Sequence, residues 1–329
     1  MSFSFNFDVQ LTTKCQQGEN HPQNEKQNCA LEPVPGNMTT TIETETVKAA
    51  VEHIPPATPH SLLNNSVSEV ITIGTLPPIY FLNESVFEQT ASERDDCERI
   101  LTQTAAQSSD LITGVYEGGL KVWECTYDLL ELLEREGETF GGKTVLDLGC
   151  GAGLLGILAL KRGASWVHFQ DYNSTVIQQL TLPNTILNCQ VEEEEEDDEE
   201  ETKEEERKGK KWEKCLEDDE NAKSDWTTFL ALVLKEDPPL KYDIIFTSET
   251  IYNIAYYSAL HNILHRLLAP GGVVYLATKA HYFGVGGGLH LFEKFMKEKG
   301  VFDMEKLWVV DQGLQRHVVA LHFKTKYNS

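Results

Sequence analysis

A short apolar run, Thr144 to Leu148, ends in glycines at alternate positions, Gly149, Gly151 and Gly153, and a helix-like run, Leu154 to Lys161, follows at once. Glycine accepts positive φ and lets the backbone come close to a ligand, and the start of the next helix offers N–H groups with no partner inside it. A strand, a glycine turn and a helix in this order form a small-ligand cradle. The string Leu146-Asp147-Leu148-Gly149-Cys150-Gly151-Ala152-Gly153-Leu154-Leu155-Gly156 holds a GxGxG as well as a dinucleotide-type GxGxxG at Gly151, Gly153 and Gly156.

Asp147 separates the two readings. Two residues before the first glycine, a carboxylate would repel a pyrophosphate, yet it can order the loop and offset a sulfonium charge. S-adenosyl-L-methionine is therefore expected in preference to NAD. Asp171, just beyond the second strand Trp166 to Gln170, suits the ribose hydroxyls of either cofactor. A purely structural glycine turn is the third reading.

Around this unit, strand and helix patterns alternate. Val122, Trp123, Thr126, Leu129, Leu130, Leu132 and Leu133 recur at helical spacing, which predicts a helix over Leu120 to Glu134. Asn173 to Asn188 reads as a helix that Pro183 kinks or interrupts. Tyr242 to Thr247, Val273 to Thr278 and Leu307 to Val310 read as strands separated by the helical patterns Tyr256 to Leu268 and Leu289 to Lys299. Such alternation implies right-handed crossovers. The linker Asp311 to Arg316 is too short for one, so Leu307 to Val310 and His317 to Phe323 should be antiparallel. The expected fold is α/β, a Rossmann-like seven-stranded, mostly parallel sheet with an antiparallel last strand and helices on both faces.

Residues 1–105 are expected to be largely disordered, because from Thr12 to about Pro78 apolar residues are too sparse to order the backbone. Residues 106–329 form the expected domain, with an acidic disordered insertion at about 191–222. Thirteen acids, Glu192 to Glu201 and Glu204 to Glu206, lie there, so much of the formal charge of −24 belongs to an appendage. The balance argues against direct nucleic-acid binding over the whole surface. Seven scattered cysteines, none with metal or redox spacing, fit a reducing compartment. No apolar run reaches the length of a membrane span, about 18 residues.

In open α/β sheets ligands sit beyond the carboxyl ends of the strands. That rule makes Ser248, Glu249 and Tyr252, in Thr247 to Tyr252, the candidates for the methyl-acceptor side. Gly284 to Gly288 reads as a mobile loop or a helix-start nest near that rim, or as a plain connection. Asp225 and Trp226 can supply an adenine slot, although Trp226 reads equally as the first core residue of a helix. Trp123 and Glu124 can close the pocket or simply pack. His261 and His265, four apart, lack a third ligand, and no metal is expected. Cys150 reads as a small buried residue and His168 as a structural histidine.

Taken with Gly118-Gly119-Leu120-Lys121-Val122-Trp123-Glu124-Cys125-Thr126, Phe169 to Tyr172, Thr247 to Asn253 and Lys279 to Gly288, the glycine string resembles the protein-histidine N-methyltransferase family from about Gly114 to Lys324. The resemblance implies an S-adenosylmethionine-dependent enzyme that methylates a histidine of a basic large-subunit ribosomal protein. It implies a cofactor site of Val122, Trp123, Glu124, Cys125, Thr126, Asp147, Gly149, Gly151, Gly153, Gln170, Asp171, Tyr172, Asp225, Trp226 and Ser248. Glu249 is expected to accept the N–H of the substrate imidazole, with Tyr252 orienting the ring or walling the pocket. A monomer residing in the cytoplasm and nucleus, the nucleolus included, is expected. A lysine methyltransferase and a non-catalytic ribosome-assembly factor are the alternatives.

Overall fold

The computed structural model describes residues 50–64, 66–83, 98–100, 103–104, 110–112, 114–189, 226–235 and 238–325. In chain order the main elements are β1 (Ser68–Ile71), β2 (Ile79–Leu82), α1 (Glu124–Arg135), β3 (Thr144–Leu148), α2 (Leu154–Lys161), β4 (Trp166–Gln170), α3 (Ser174–Val176) and α4 (Leu182–Asn188). There follow α5 (Trp226–Val233), β5 (Tyr242–Ser248), α6 (Tyr257–Leu267), β6 (Leu268–Lys279), α7 (Leu289–Lys299), β7 (Phe302–Val310) and β8 (Arg316–Phe323).

Strand side chains point alternately to opposite faces. Val145, Ile244 and Phe246 therefore enter one core with α1 and α2, while Leu146, Leu148 and Ile245 enter the other with α6 and α7. Helix α2 is buried from Leu154 through Ala159, which is why its sequence is apolar on every side. The large sheet runs β4-β3-β5-β6-β8-β7. Its first four strands are parallel, and β8 pairs antiparallel with both β6 and β7. The antiparallel ending follows from the short linker, as expected. Six strands stand in this sheet among the described residues, against seven expected. The acidic segment and Asp225 lie outside the described residues.

From β3 the chain passes to β4 on one side and later to β5 on the other, so the order reverses at the carboxyl ends of β3 and β5. The loops leaving those two ends diverge and leave a crevice between them.

Two expectations are corrected. Residues 1–105, expected to be largely disordered, contribute β1 and β2, and Ile79, Phe81 and Leu82 of β2 are buried in the core with Val145. Asn184 and Asn188 of α4 make this possible by accepting hydrogen bonds from the β2 amides of Leu82 (2.8 Å) and Tyr80 (2.9 Å). Helix α1 begins at Glu124 and not at Leu120, because Trp123 is extended and its indole donates back to the carbonyl of Gly118 at 2.9 Å. The helix expected over Asn173 to Asn188 is interrupted just ahead of Pro183, as expected. A π-helical segment, Ile177–Thr181, precedes α4, and Pro183 is the second residue of α4.

Candidate active site

The crevice is a cavity with two walls. On the first, Gly149 and Gly151 have φ of 68° and 51°, and a Cβ on Gly151 would lie 3.0 Å from the carbonyl oxygen of Gly119. Asp147, buried in β3, accepts the Gly156 amide at 2.9 Å and so ties the strand to the first turn of α2. Asp171 accepts the amides of Gly151 (3.0 Å) and Asn173 (3.1 Å). Burial pushes the Asp147 carboxyl up to about 7 and the Asp171 carboxyl up to about 6, outweighing those amide bonds. Thr181 and Asn184 hold the loop from behind, donating to the carbonyls of Gly151 (2.6 Å) and Ala152 (2.9 Å). Gln170 Oε1 accepts from the Trp226 indole at 3.1 Å, and the Gln170 carbonyl from the Cys150 amide at 2.8 Å.

The second wall rises from the ends of β5 and β6. Glu249 has φ of 59°, a left-handed conformation that is costly for a side chain of this kind. Its amide is fixed to the Ala277 carbonyl at 2.9 Å. Its carboxylate is buried, and Oε1 makes no hydrogen bond. Lys279, also buried, places Nζ 3.3 Å from that Oε1, 3.2 Å from Glu124 Oε2 and 5.0 Å from the centre of the Trp123 ring. Tyr252 and Tyr256 both donate their hydroxyls to Glu117, the latter at 3.0 Å. Burial first, and the Glu117 carboxylate next, push both phenols well above their ordinary range. Thr126 donates to Ser248 at 3.1 Å, joining α1 to β5.

Residues 124–293 match the family described as "Methyltransferase domain". A mouse protein named "Histidine protein methyltransferase 1 homolog" is 46% identical over 281 residues, 84% of this chain and 75% of the mouse protein. The cattle protein of that name is 45% identical, over 84% of this chain and 74% of its own length. The chain belongs to the histidine protein methyltransferase family. A more distant member from Dictyostelium discoideum is 36% identical over 71% of this chain and 64% of its own length. This methyltransferase accordingly uses S-adenosyl-L-methionine and acts on protein histidine.

Of the residues expected at its cofactor site, Val122, Trp123, Thr126, Asp147, Gly149, Gly151, Asp171, Tyr172, Trp226 and Ser248 line the cavity, as do Glu249 and Tyr252. Four others do not line it. Cys125 is fully buried in the core, Gln170 supports the loop from beneath, Gly153 precedes α2, and Glu124 faces Lys279 at the head of α1. The reason is helical and strand geometry: in a run such as Val122 to Thr126 or Gln170 to Tyr172, consecutive side chains cannot all face one cavity.

The loop Gly284 to Gly288 is no open nest. The amides of Gly286 and Gly287 bond the carbonyls of Tyr282 and Tyr252, and Gly288 donates to the Tyr257 hydroxyl at 3.0 Å. Cys150 lines the cavity, with burial raising its thiol far above the usual range, which leaves a poor nucleophile. His168 pairs with the Tyr242 hydroxyl at 2.7 Å, a structural contact. His261 packs against Phe295 and Phe302, and burial lowers its imidazole to about 4.

Sequence reasoning missed Glu117, Tyr256 and Lys279. Lys279 ends β6 at the same rim as Ser248, so the strand-end rule could have found it. Glu117 carried no signal, since only the folded chain brings it to the two tyrosines.

Proposed function

We propose that this methyltransferase modifies a histidine of a basic large-subunit ribosomal protein, with Glu249 as the group that accepts the imidazole N–H. The observation that carries the reading is the strained Glu249 in the cavity wall, its buried carboxylate held beside Lys279.

The first wall fits the cofactor: the glycine turn leaves no room for a Cβ, Asp171 follows directly on β4, and Trp123, Tyr172 and Trp226 supply apolar faces. S-adenosylmethionine supplies an electrophilic methyl group carried on a sulfonium. The remaining work falls to the chain's own residues. An imidazole of pKa about 6.5 is largely neutral at cellular pH, so one ring nitrogen has a free lone pair without any base. Glu249 holds the proton on the other nitrogen, which selects the tautomer and stabilises the cation that develops on the ring. Tyr252, its hydroxyl already committed to Glu117, walls the acceptor position instead of exchanging protons. Trp123 and Tyr252 help exclude water, so that orientation supplies much of the rate.

The net charge of −24 supports a basic protein partner. Action as a monomer, with residence in the cytoplasm and nucleus, belongs to the same proposal. Transfer of labelled methyl from S-adenosylmethionine to proteins of an enzyme-deficient lysate, with the modified residue identified by mass spectrometry, tests it. Label on one histidine of a large-subunit ribosomal protein is the expected result. Label confined to lysine, or to proteins outside the ribosome, refutes the reading.

A further inference from the structure

We infer that Lys279 is a positioning residue for the methyl transfer: its ammonium holds the Glu249 carboxylate in place and couples it, through Glu124 and Trp123, to the amino-terminal end of α1. The inference rests on the acceptor role proposed for Glu249 and names the device that makes that role possible.

The geometry is specific. Lys279 is 6% exposed, and a buried ammonium is costly unless it is paired. It has two partners from different elements, Glu249 after β5 at 3.3 Å and Glu124 of α1 at 3.2 Å. Its head lies over the face of Trp123, a cavity-lining residue, so the same cation touches both walls. Two carboxylates against one ammonium leave a net charge of about −1, which suits a ring that becomes cationic as it is methylated. Glu249 Oε1 is buried against Lys279, so the cation offsets the charge of the carboxylate and fixes its place. Burial alone would lower the Lys279 pKa, but Glu249 and then Glu124 outweigh it and hold the ammonium charged. The other charged or titratable groups nearby are Cys125 of α1, Tyr282 after β6, and the Arg316–Asp128 pair, with Arg316 opposite Lys279 in the sheet.

The test compares Lys279→Met, Lys279→Arg, Glu249→Gln and the double variant Glu249→Gln/Lys279→Met in the full chain. The measurements are kcat against pH, and S-adenosylmethionine affinity by calorimetry. Lys279→Met should lower kcat by about 100-fold, move the acid limb of the kcat profile to higher pH, and change cofactor affinity by no more than about threefold. Lys279→Arg should keep the acid limb in place and recover part of kcat. The double variant should be no slower than Glu249→Gln alone, because a residue that acts through another adds nothing once that other is gone. If Lys279→Met does not fold, the double variant still decides, since it removes the opposed charges together. A double variant much slower than Glu249→Gln, or an unmoved acid limb in Lys279→Met, overturns the inference while leaving Glu249 in its role. Unchanged turnover in Glu249→Gln instead overturns the proposed acceptor role itself.

Discussion

The two walls of the crevice both bury carboxylates, but they neutralise them by different means. On the glycine side, Asp147 and Asp171 are met by backbone amides of Gly156, Gly151 and Asn173, all within a few dozen residues along the chain. On the acceptor side, Glu249 is met by Lys279, and Glu117 by Tyr252 and Tyr256, side chains from separate elements. Amide dipoles leave the first pair incompletely compensated, so that both carboxyls titrate near neutrality. A full positive charge stands beside Glu249. The contrast suits the two tasks: the first wall meets a cation brought by the cofactor, whereas the second must be set before the substrate arrives.

Glu249→Gln should break the acceptor wall and produce the largest effect. Turnover is expected to fall about 100- to 1,000-fold, in the range of a lost proton-handling group, with cofactor affinity within about threefold of wild type. Single-turnover kinetics beside calorimetry separate the two quantities, and loss of cofactor affinity in place of turnover would erase the division between the walls.

Gly151→Val attacks the other wall. A branched side chain at a φ of 51°, with its Cβ 3.0 Å from the Gly119 carbonyl oxygen, displaces the loop or the facing segment. Backbone strain of about 1–3 kcal/mol predicts cofactor affinity weakened by about 10- to 100-fold. Calorimetric affinity equal to that of wild type would show that the turn tolerates a side chain and does not shape the site.

A third prediction, read in stability and not in turnover or affinity, sharpens the electrostatic side of the comparison. The Asp147 carboxyl titrates at about 7 in the folded chain and at about 3.9 unfolded. The native state thus holds the extra proton between those values. Stability from this source is complete at low pH and declines as pH rises through that window, by up to about 4 kcal/mol. Asp147→Asn keeps an acceptor for the Gly156 amide and removes the titration. Denaturant unfolding of the cofactor-free protein should show a shallower loss of stability between pH 4.5 and pH 7.5 in the variant. Parallel curves for the two proteins would mean that Asp147 stays ionised in the folded chain.

Much of the glycine wall was legible before any coordinates. The apolar run, the spaced glycines, Asp147 and Asp171 are close in sequence, and their hydrogen bonds join residues 20 or fewer positions apart. The short linker before β8 likewise settled the antiparallel ending. The hairpin β1–β2 was not legible, because its edge is completed by Asn184 and Asn188, more than a hundred residues away. A composition count cannot register such partners.

What the sequence determined by itself was the cradle: backbone conformation and local amide bonds depend on the residues at hand, and glycine and aspartate at those spacings admit few alternatives. What only the tertiary structure decided was the company each charged group keeps. Lys279 and Glu249 are 30 positions apart and Glu117 and Tyr252 135 apart. The energy that matters for each pair depends on separation and burial, which exist only after β5, β6 and α1 have packed together.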